Sequence, residues 1–278
     1  MKHSEKSNLI IRSITGALFG LLVIFSILGG RAYFTTLMLV AGLLSLHELY
    51  RIILPGNRVM YRVGMLSGLL IFGGITLIGL EGTFYLKTGL AILLPGIPLV
   101  LVTSLYQKDP RAFTHAALAY TGAVYSLLPL SLLSLIYNSS IIDIKEPEKI
   151  LLGFFLLVWT NDTMAYLTGM TLGKHKLFER HSPRKTWEGT LGGILFTGIA
   201  AVLLWHFFGQ LSLQQWLITG LLTAVVGLYG DLAESMIKRS AHIKDSGSLL
   251  PGHGGVLDRF DATLLAAPVV IAYLILSS

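Results

Sequence analysis

The chain has 278 residues, 53% of them hydrophobic and 13% charged, with a mean hydropathy of +0.70 and a net charge of +6. A soluble domain carries about a quarter charged residues, so this composition excludes a water-soluble globular protein of this size. Cysteine is absent, which excludes disulfides and thiolate metal sites.

Met1 to Arg12 forms a basic arm ahead of the first apolar run. No small-residue cleavage site followed by a soluble domain comes after it, so it reads as a cytoplasmic arm and not as a secretory signal. Apolar blocks of about 20 residues, the length needed to cross a hydrocarbon core of roughly 30 Å, then follow one another. They lie near 14–30, 33–53, 65–81, 84–106, 112–137, 149–173, 190–208, 213–238 and 260–277. This pattern predicts an all-α polytopic membrane protein of about nine transmembrane helices. No repeat and no low-complexity linker divides it, so 1–278 reads as a single membrane domain. Residues 1–145 supply mainly scaffold, and 146–278 carry the residues with chemistry.

Cytoplasmic loops carry the excess of Lys and Arg. With the N-terminus inside and nine alternating spans, only Arg31, Lys87, Lys145 and Lys149 fall outside, leaving 17 of the 21 basic residues inside. The expected active face is therefore cytoplasmic, where basic loops can meet anionic headgroups and phosphates.

Ionisable residues within membrane helices are costly and tend to mark function. The sixth block carries Asn161 and Asp162 in the middle of an apolar run. They suit a wet cavity or interhelical hydrogen bonding. The eighth block carries Asp231, Glu234, Ser235 and Lys238, spaced to share one helical face, after Gly227 and Gly230. An intrahelical salt-bridge ladder is the structural alternative there. Glu48 and His47, near the cytoplasmic end of the second block, read as a snorkelling pair beneath the headgroups.

The segment that follows the eighth block is the most informative. Pro251 with Gly252, Gly254 and Gly255 breaks any helix and exposes backbone N–H groups suited to anionic oxygens. Lys238, Arg239, Lys244 and Arg259 place four cations nearby. Asp258 and Asp261, spaced i, i+3, could join Asp231 in an oxygen-rich site for Mg²⁺. Cations, a glycine turn and clustered aspartates together suggest phosphoryl or nucleotidyl transfer, which relies on positioning and charge neutralisation.

The run from Ser235 to Asp261 resembles the signature of the phosphatidate cytidylyltransferase family. Ser235, Lys238-Arg239, Lys244-Asp245, Gly247, Leu250-Pro251, His253-Gly254-Gly255, Asp258-Arg259 and Asp261 all fall in register. A second stretch is similar to the same family: Asn161-Asp162-Thr163, Ala165-Tyr166, Gly173-Lys174, Lys176-Leu177 and Ser182-Pro183-Arg184-Lys185-Thr186-Trp187-Glu188-Gly189. The strong motifs cover roughly the C-terminal 120 residues, and the first five spans agree in hydropathy only. Met170 stands where similar proteins often carry Arg, and His181 stands where an apolar residue is usual.

The resemblance implies transfer of a cytidylyl group from CTP to phosphatidate, giving CDP-diacylglycerol and pyrophosphate. The catalytic residues would be Asp231, Lys238, Asp258 and Asp261. Asp231, Asp258 and Asp261 would hold Mg²⁺, with a second cation left open. Lys238, Arg239, Lys244 and Arg259 would gather the two anionic substrates. Ser182, Arg184, Lys185 and Ser235 would add substrate contacts, and Asn161 and Asp162 would line the polar floor. His253 either donates to a phosphate or braces its turn. The expected partners are CTP, phosphatidate and membrane lipid, with no nucleic acid, and the resemblance implies a homodimer. Short loops and the lack of a targeting extension suggest the inner membrane of a bacterium. Two alternatives are a nucleotidyltransferase acting on another lipid phosphate and a secondary transporter. The transporter would require an inverted repeat, and none is seen.

Overall fold

A computed structural model of the chain describes residues 2–138, 141–142, 145–249 and 254–277. Among these residues there are ten helices and one small ribbon. In the first half come α1 (Lys2–Leu28), α2 (Arg31–Ile53), α3 (Arg58–Ile78), α4 (Thr83–Leu93), α5 (Gly96–Leu105) and α6 (Ala112–Leu132), the last running into a 3₁₀ turn at Leu133–Tyr137. After α7 (Pro147–Leu172) comes an antiparallel ribbon of β1 (Lys176–Phe178) and β2 (Ser182–Thr186). The chain ends with α8 (Trp187–Phe208), α9 (Leu213–Ser240) and α10 (Leu257–Ser277).

Eight apolar helical runs are long enough to cross a membrane, with α4 and α5 together making one run, Thr83–Leu105. The protein is thus a polytopic helical membrane protein. The first predicted block corresponds to the shorter apolar stretch Ile14–Leu28 within α1, about 22 Å of helix at 1.5 Å per residue. The block predicted as one helix over 84–106 is interrupted at Leu94-Pro95, because proline has no N–H to give and its ring crowds the preceding turn. The ribbon was not anticipated from hydropathy, which cannot register two strands of three and five polar-rich residues.

The chain partitions into two compact units, residues 1–138 with 243–260, and residues 139–242 with 261–278; the boundary cuts α10 after Phe260. The core of the first unit gathers around Tyr50 of α2, which is fully buried and donates to the Ala119 carbonyl of α6. Gly64 of α3 and Gly122 of α6 face its ring, and a methyl group at either would collide with it. In hydrocarbon, where apolar area drives little helix association, such small-residue faces let helices approach closely.

In the second unit α7 packs on α8 and α8 on α9. Gly189 of α8 meets the Ala165 carbonyl and the Gly169 Cα of α7 at 2.7 and 3.0 Å from an ideal Cβ. The opposite side of α8 leaves Leu191, Leu195, Leu203 and Phe207 exposed, a surface fit for lipid.

Candidate active site

The second unit holds an acidic group built on α9 and α10. One carboxylate oxygen each from Asp231, Glu234 and Asp261 lies within 4.8 Å of the others. Backbone packing explains how they meet. At Gly230, next to Asp231, an added methyl would overlap the Asp261 carbonyl oxygen and stand 3.1 Å from the Ala262 Cα. Only glycine allows α9 and α10 this close, and the approach brings the aspartates together. Four positions of one face of α9 then act in concert. Ser235 Oγ donates to Asp231 Oδ1 over 3.3 Å, and Lys238 Nζ pairs with buried Glu234 Oε2 at 2.6 Å.

The rung Lys238–Glu234 is part of the alternative salt-bridge ladder, but Asp231 takes a partner from elsewhere. Lys185 of β2 reaches it, Nζ to Oδ2 at 2.7 Å. Three carboxylates in so small a volume repel one another, and two lysines offset part of that charge. The set is all-oxygen and anionic, the chemistry a hard divalent cation takes, so the residues fit a metal ion.

The β1–β2 ribbon is what delivers Lys185. Lys176 faces Thr186 and Phe178 faces Ser182, so five residues of β2 span three of β1 and the strand is irregular between them. Phe178 and His181 stack at the turn, ring centroids 5.5 Å apart. Thr186 caps α8 by accepting from Gly189 N at 3.2 Å. Glu188, one residue into α8, accepts from Lys174 N at 3.0 Å and His175 N at 3.2 Å, and its Oε1 lies 2.6 Å from His175 Nδ1. The entry to β1 and the end of β2, which meet at the open end of the ribbon, are thereby both tied to the start of α8.

Of the α7 pair, Asn161 is buried against α8, its Oδ1 2.7 Å from an ideal Cβ on Gly193. Asp162 is exposed. Its negative charge acts on Asp261 together with that of Asp231, while Lys185 opposes both. Ser182 is half-buried at the start of β2, and Arg184 and Arg239 are exposed.

The first unit holds the glycine loop. Asp258 Oδ2 accepts from Gly255 N at 2.7 Å and Ser246 N at 3.0 Å, and the Ser246 hydroxyl lies 3.0 Å away. Gly254, at φ +80°, adopts a left-handed conformation beside this carboxylate, where a side chain would also collide with it. Glu48 of α2 corrects an expectation. It does not snorkel: it is 6% exposed and accepts from Val256 N at 3.0 Å and Leu257 N at 2.9 Å, with the Ser246 hydroxyl 2.9 Å away. A carboxylate buried against the first turn of α10 gives its oxygens to backbone N–H groups and not to water. His47 instead bonds to Tyr61, Nδ1 to hydroxyl at 2.6 Å. Lys244 and Arg259 are exposed in this unit, and His253 lies outside the described residues.

Sequence reasoning missed three carboxylates. Glu234 shares the face of α9 that the sequence marks as functional, but the metal set expected from the sequence is Asp231, Asp258 and Asp261. Glu48 lies some 200 residues from the loop that it holds, and no local spacing could reveal that. Glu188 stands in a recognisable run, but its role depends on a ribbon that hydropathy does not show.

The chain matches the cytidylyltransferase family over residues 10–277, and it belongs to that family. Among its relatives, the phosphatidate cytidylyltransferase of Staphylococcus haemolyticus is 33% identical over 95% of this chain and 98% of its own length. That of Bacillus subtilis is 31% identical over 96% and 98%. That of Haemophilus influenzae reaches 42% over 62% of each chain.

Proposed function

We propose that the chain transfers the cytidylyl group of CTP to phosphatidate, forming CDP-diacylglycerol and releasing pyrophosphate for phospholipid synthesis. The observation that carries this reading is similarity to phosphatidate cytidylyltransferases along nearly the whole chain.

An anionic oxygen of the phosphatidate phosphate attacks the α-phosphorus of CTP. The new P–O bond forms as the bond from the α-phosphorus to the bridging oxygen breaks, and pyrophosphate leaves with that electron pair. The nucleophile is already ionised, so no general base is needed and no Ser or His nucleophile is assigned. The difficulty is bringing two anions together, and positioned positive charge addresses it.

Asp231, Glu234 and Asp261 would hold Mg²⁺, which when bound neutralises triphosphate charge and polarises the reacting phosphorus. The sequence-based assignment of Asp258 as a metal ligand stays a proposal, tested by the Mg²⁺ dependence of Asp258→Asn, and a second cation stays open. Lys185 and Lys238, held by Asp231 and Glu234, supply donors that phosphate oxygens can share. Arg239, Lys244 and Arg259 gather the anionic substrates and stabilise the departing pyrophosphate. Ser182 and Arg184 add phosphate contacts from β2, Ser235 orients Asp231, and Asn161 and Asp162 form the polar floor. His253 donates to a phosphate or braces its turn. The basic loops face the cytoplasm, where CTP is found, in the cell membrane of a bacterium, and the assembly is a homodimer.

The test is transfer of label from CTP into chloroform-soluble product by purified protein in detergent, with Mg²⁺ and dioleoyl phosphatidate. CDP-diacylglycerol is the expected product. Use of an isoprenoid phosphate in place of phosphatidate would change the acceptor, and no consumption of CTP with any lipid would end the reading.

A further inference from the structure

We infer that Glu48 is a positioning residue for cytidylyl transfer: from α2 it holds the glycine loop and the start of α10 in the arrangement that presents Asp258. The inference rests on the proposed transfer reaction.

A helix begins with backbone N–H groups that have no partner inside the helix, and a residue just before the helix normally caps them. At α10 the residue in that place is Val256, whose side chain cannot accept a hydrogen bond. Glu48 takes over that task from 208 positions away, accepting from Val256 N and Leu257 N at 3.0 and 2.9 Å. A carboxylate at a helix N-terminus is favoured by the helix dipole as well as by these bonds. Among the described residues no cation forms a salt bridge with it, so N–H groups and a hydroxyl stabilise this buried charge.

Glycines shape the loop around the carboxylate. An ideal Cβ at Gly247 stands 2.6 Å from Glu48 Oε1, and one at Gly255 would overlap both Glu48 Oε2 and the Ser246 hydroxyl. Gly247 and Gly255 therefore lie against the Glu48 carboxylate with no room for a side chain at either. Ser246 links it to Asp258, its hydroxyl lying 2.9 Å from Glu48 Oε2 and 3.0 Å from Asp258 Oδ2. Glu48 and Asp258 thus grip the same short loop from two sides, Glu48 through residues 246, 256 and 257 and Asp258 through 246 and 255. Losing the first grip releases the second.

Glu48→Gln tests this with little change in volume. One amide oxygen replaces two carboxylate oxygens, and the amide NH₂ turns a donor toward a donor. In the full-length protein in detergent, hydrogen exchange across 244–257 should rise while peptides from α7, α8 and α9 stay unchanged. The kcat/KM for CTP should fall roughly 10- to 100-fold, with KM for phosphatidate within about twofold. Ser246→Ala, a milder change that removes only the shared hydroxyl, should shift both readouts in the same direction and decides the matter if Glu48→Gln does not fold. Wild-type kinetics with wild-type exchange would overturn the proposal. So would faster exchange at 244–257 with full activity, or lost activity with faster exchange everywhere in both variants, which is mere structural failure. If wild-type protein transfers nothing from CTP, the reaction has been misread, and the exchange result alone still decides whether Glu48 holds the loop.

Discussion

Gly230 on α9 sits so close to Asp261 on α10 that a methyl group there would overlap the Asp261 carbonyl oxygen. Backbone contact of this kind cannot be relieved by a side-chain rotation. Gly230→Ala should force the helices apart and separate the Asp231 and Asp261 carboxylates. Overpacking of this sort costs about 1–3 kcal/mol. We expect a lower thermal unfolding midpoint and, in the fraction that stays folded, a raised Mg²⁺ requirement; a variant with wild-type Mg²⁺ dependence would mean that the helix approach does not set the acidic group.

Lys185 reaches Asp231 from the ribbon at 2.7 Å, and both side chains are partly exposed. A pair of that kind contributes under about 1 kcal/mol to stability. Its value lies in donating to developing charge, where loss of one donor costs roughly 100-fold or more in kcat. Lys185→Met should therefore unfold like wild type and turn over far more slowly. Equal activity at saturating CTP would remove Lys185 from the mechanism.

Glu234 is buried, paired with Lys238, and within 4.8 Å of the Asp231 and Asp261 oxygens. Glu234→Gln removes one negative charge from the set. The Mg²⁺ concentration for half-maximal activity should rise by at least about 10-fold, and excess EDTA should abolish wild-type activity reversibly. A Mg²⁺ titration of both proteins reads this, and superimposable curves would exclude Glu234 as a ligand.

Glu188 ties the chain at Lys174 and His175 to the start of α8. Glu188→Ala should loosen the ribbon and lower kcat several-fold by letting Lys185 wander, an indirect effect smaller than that of Lys185→Met itself. Hydrogen exchange at 174–186 is the matching readout. Unaltered exchange would show that the strand pairing alone holds the ribbon.

Much of the fold was legible because a membrane leaves few options: apolar runs of sufficient length must be helices. Run length located the spans, and the proline at 95 is where one of them breaks. The acidic face of α9 was equally open to reading, since Asp231, Glu234, Ser235 and Lys238 share a face by helical period alone. Its partners were not. Lys185 arrives through a ribbon of eight residues that carries no hydropathy signal. Glu48 is a long-range cap, and long-range contacts leave no trace in local spacing. The Gly254-Gly255 turn could be read as anion-binding backbone; in the structure Gly255 N already serves Asp258.

The most direct test of the central claim, that the acidic group serves cytidylyl transfer, is Mg²⁺-dependent CDP-diacylglycerol formation by wild type and Asp261→Asn side by side. Asn keeps the shape and the Ala262 N–H acceptor but removes the charge. The account predicts robust transfer by wild type and at least about a 1000-fold loss in a folded Asp261→Asn protein. Near-wild-type transfer by that variant would contradict it.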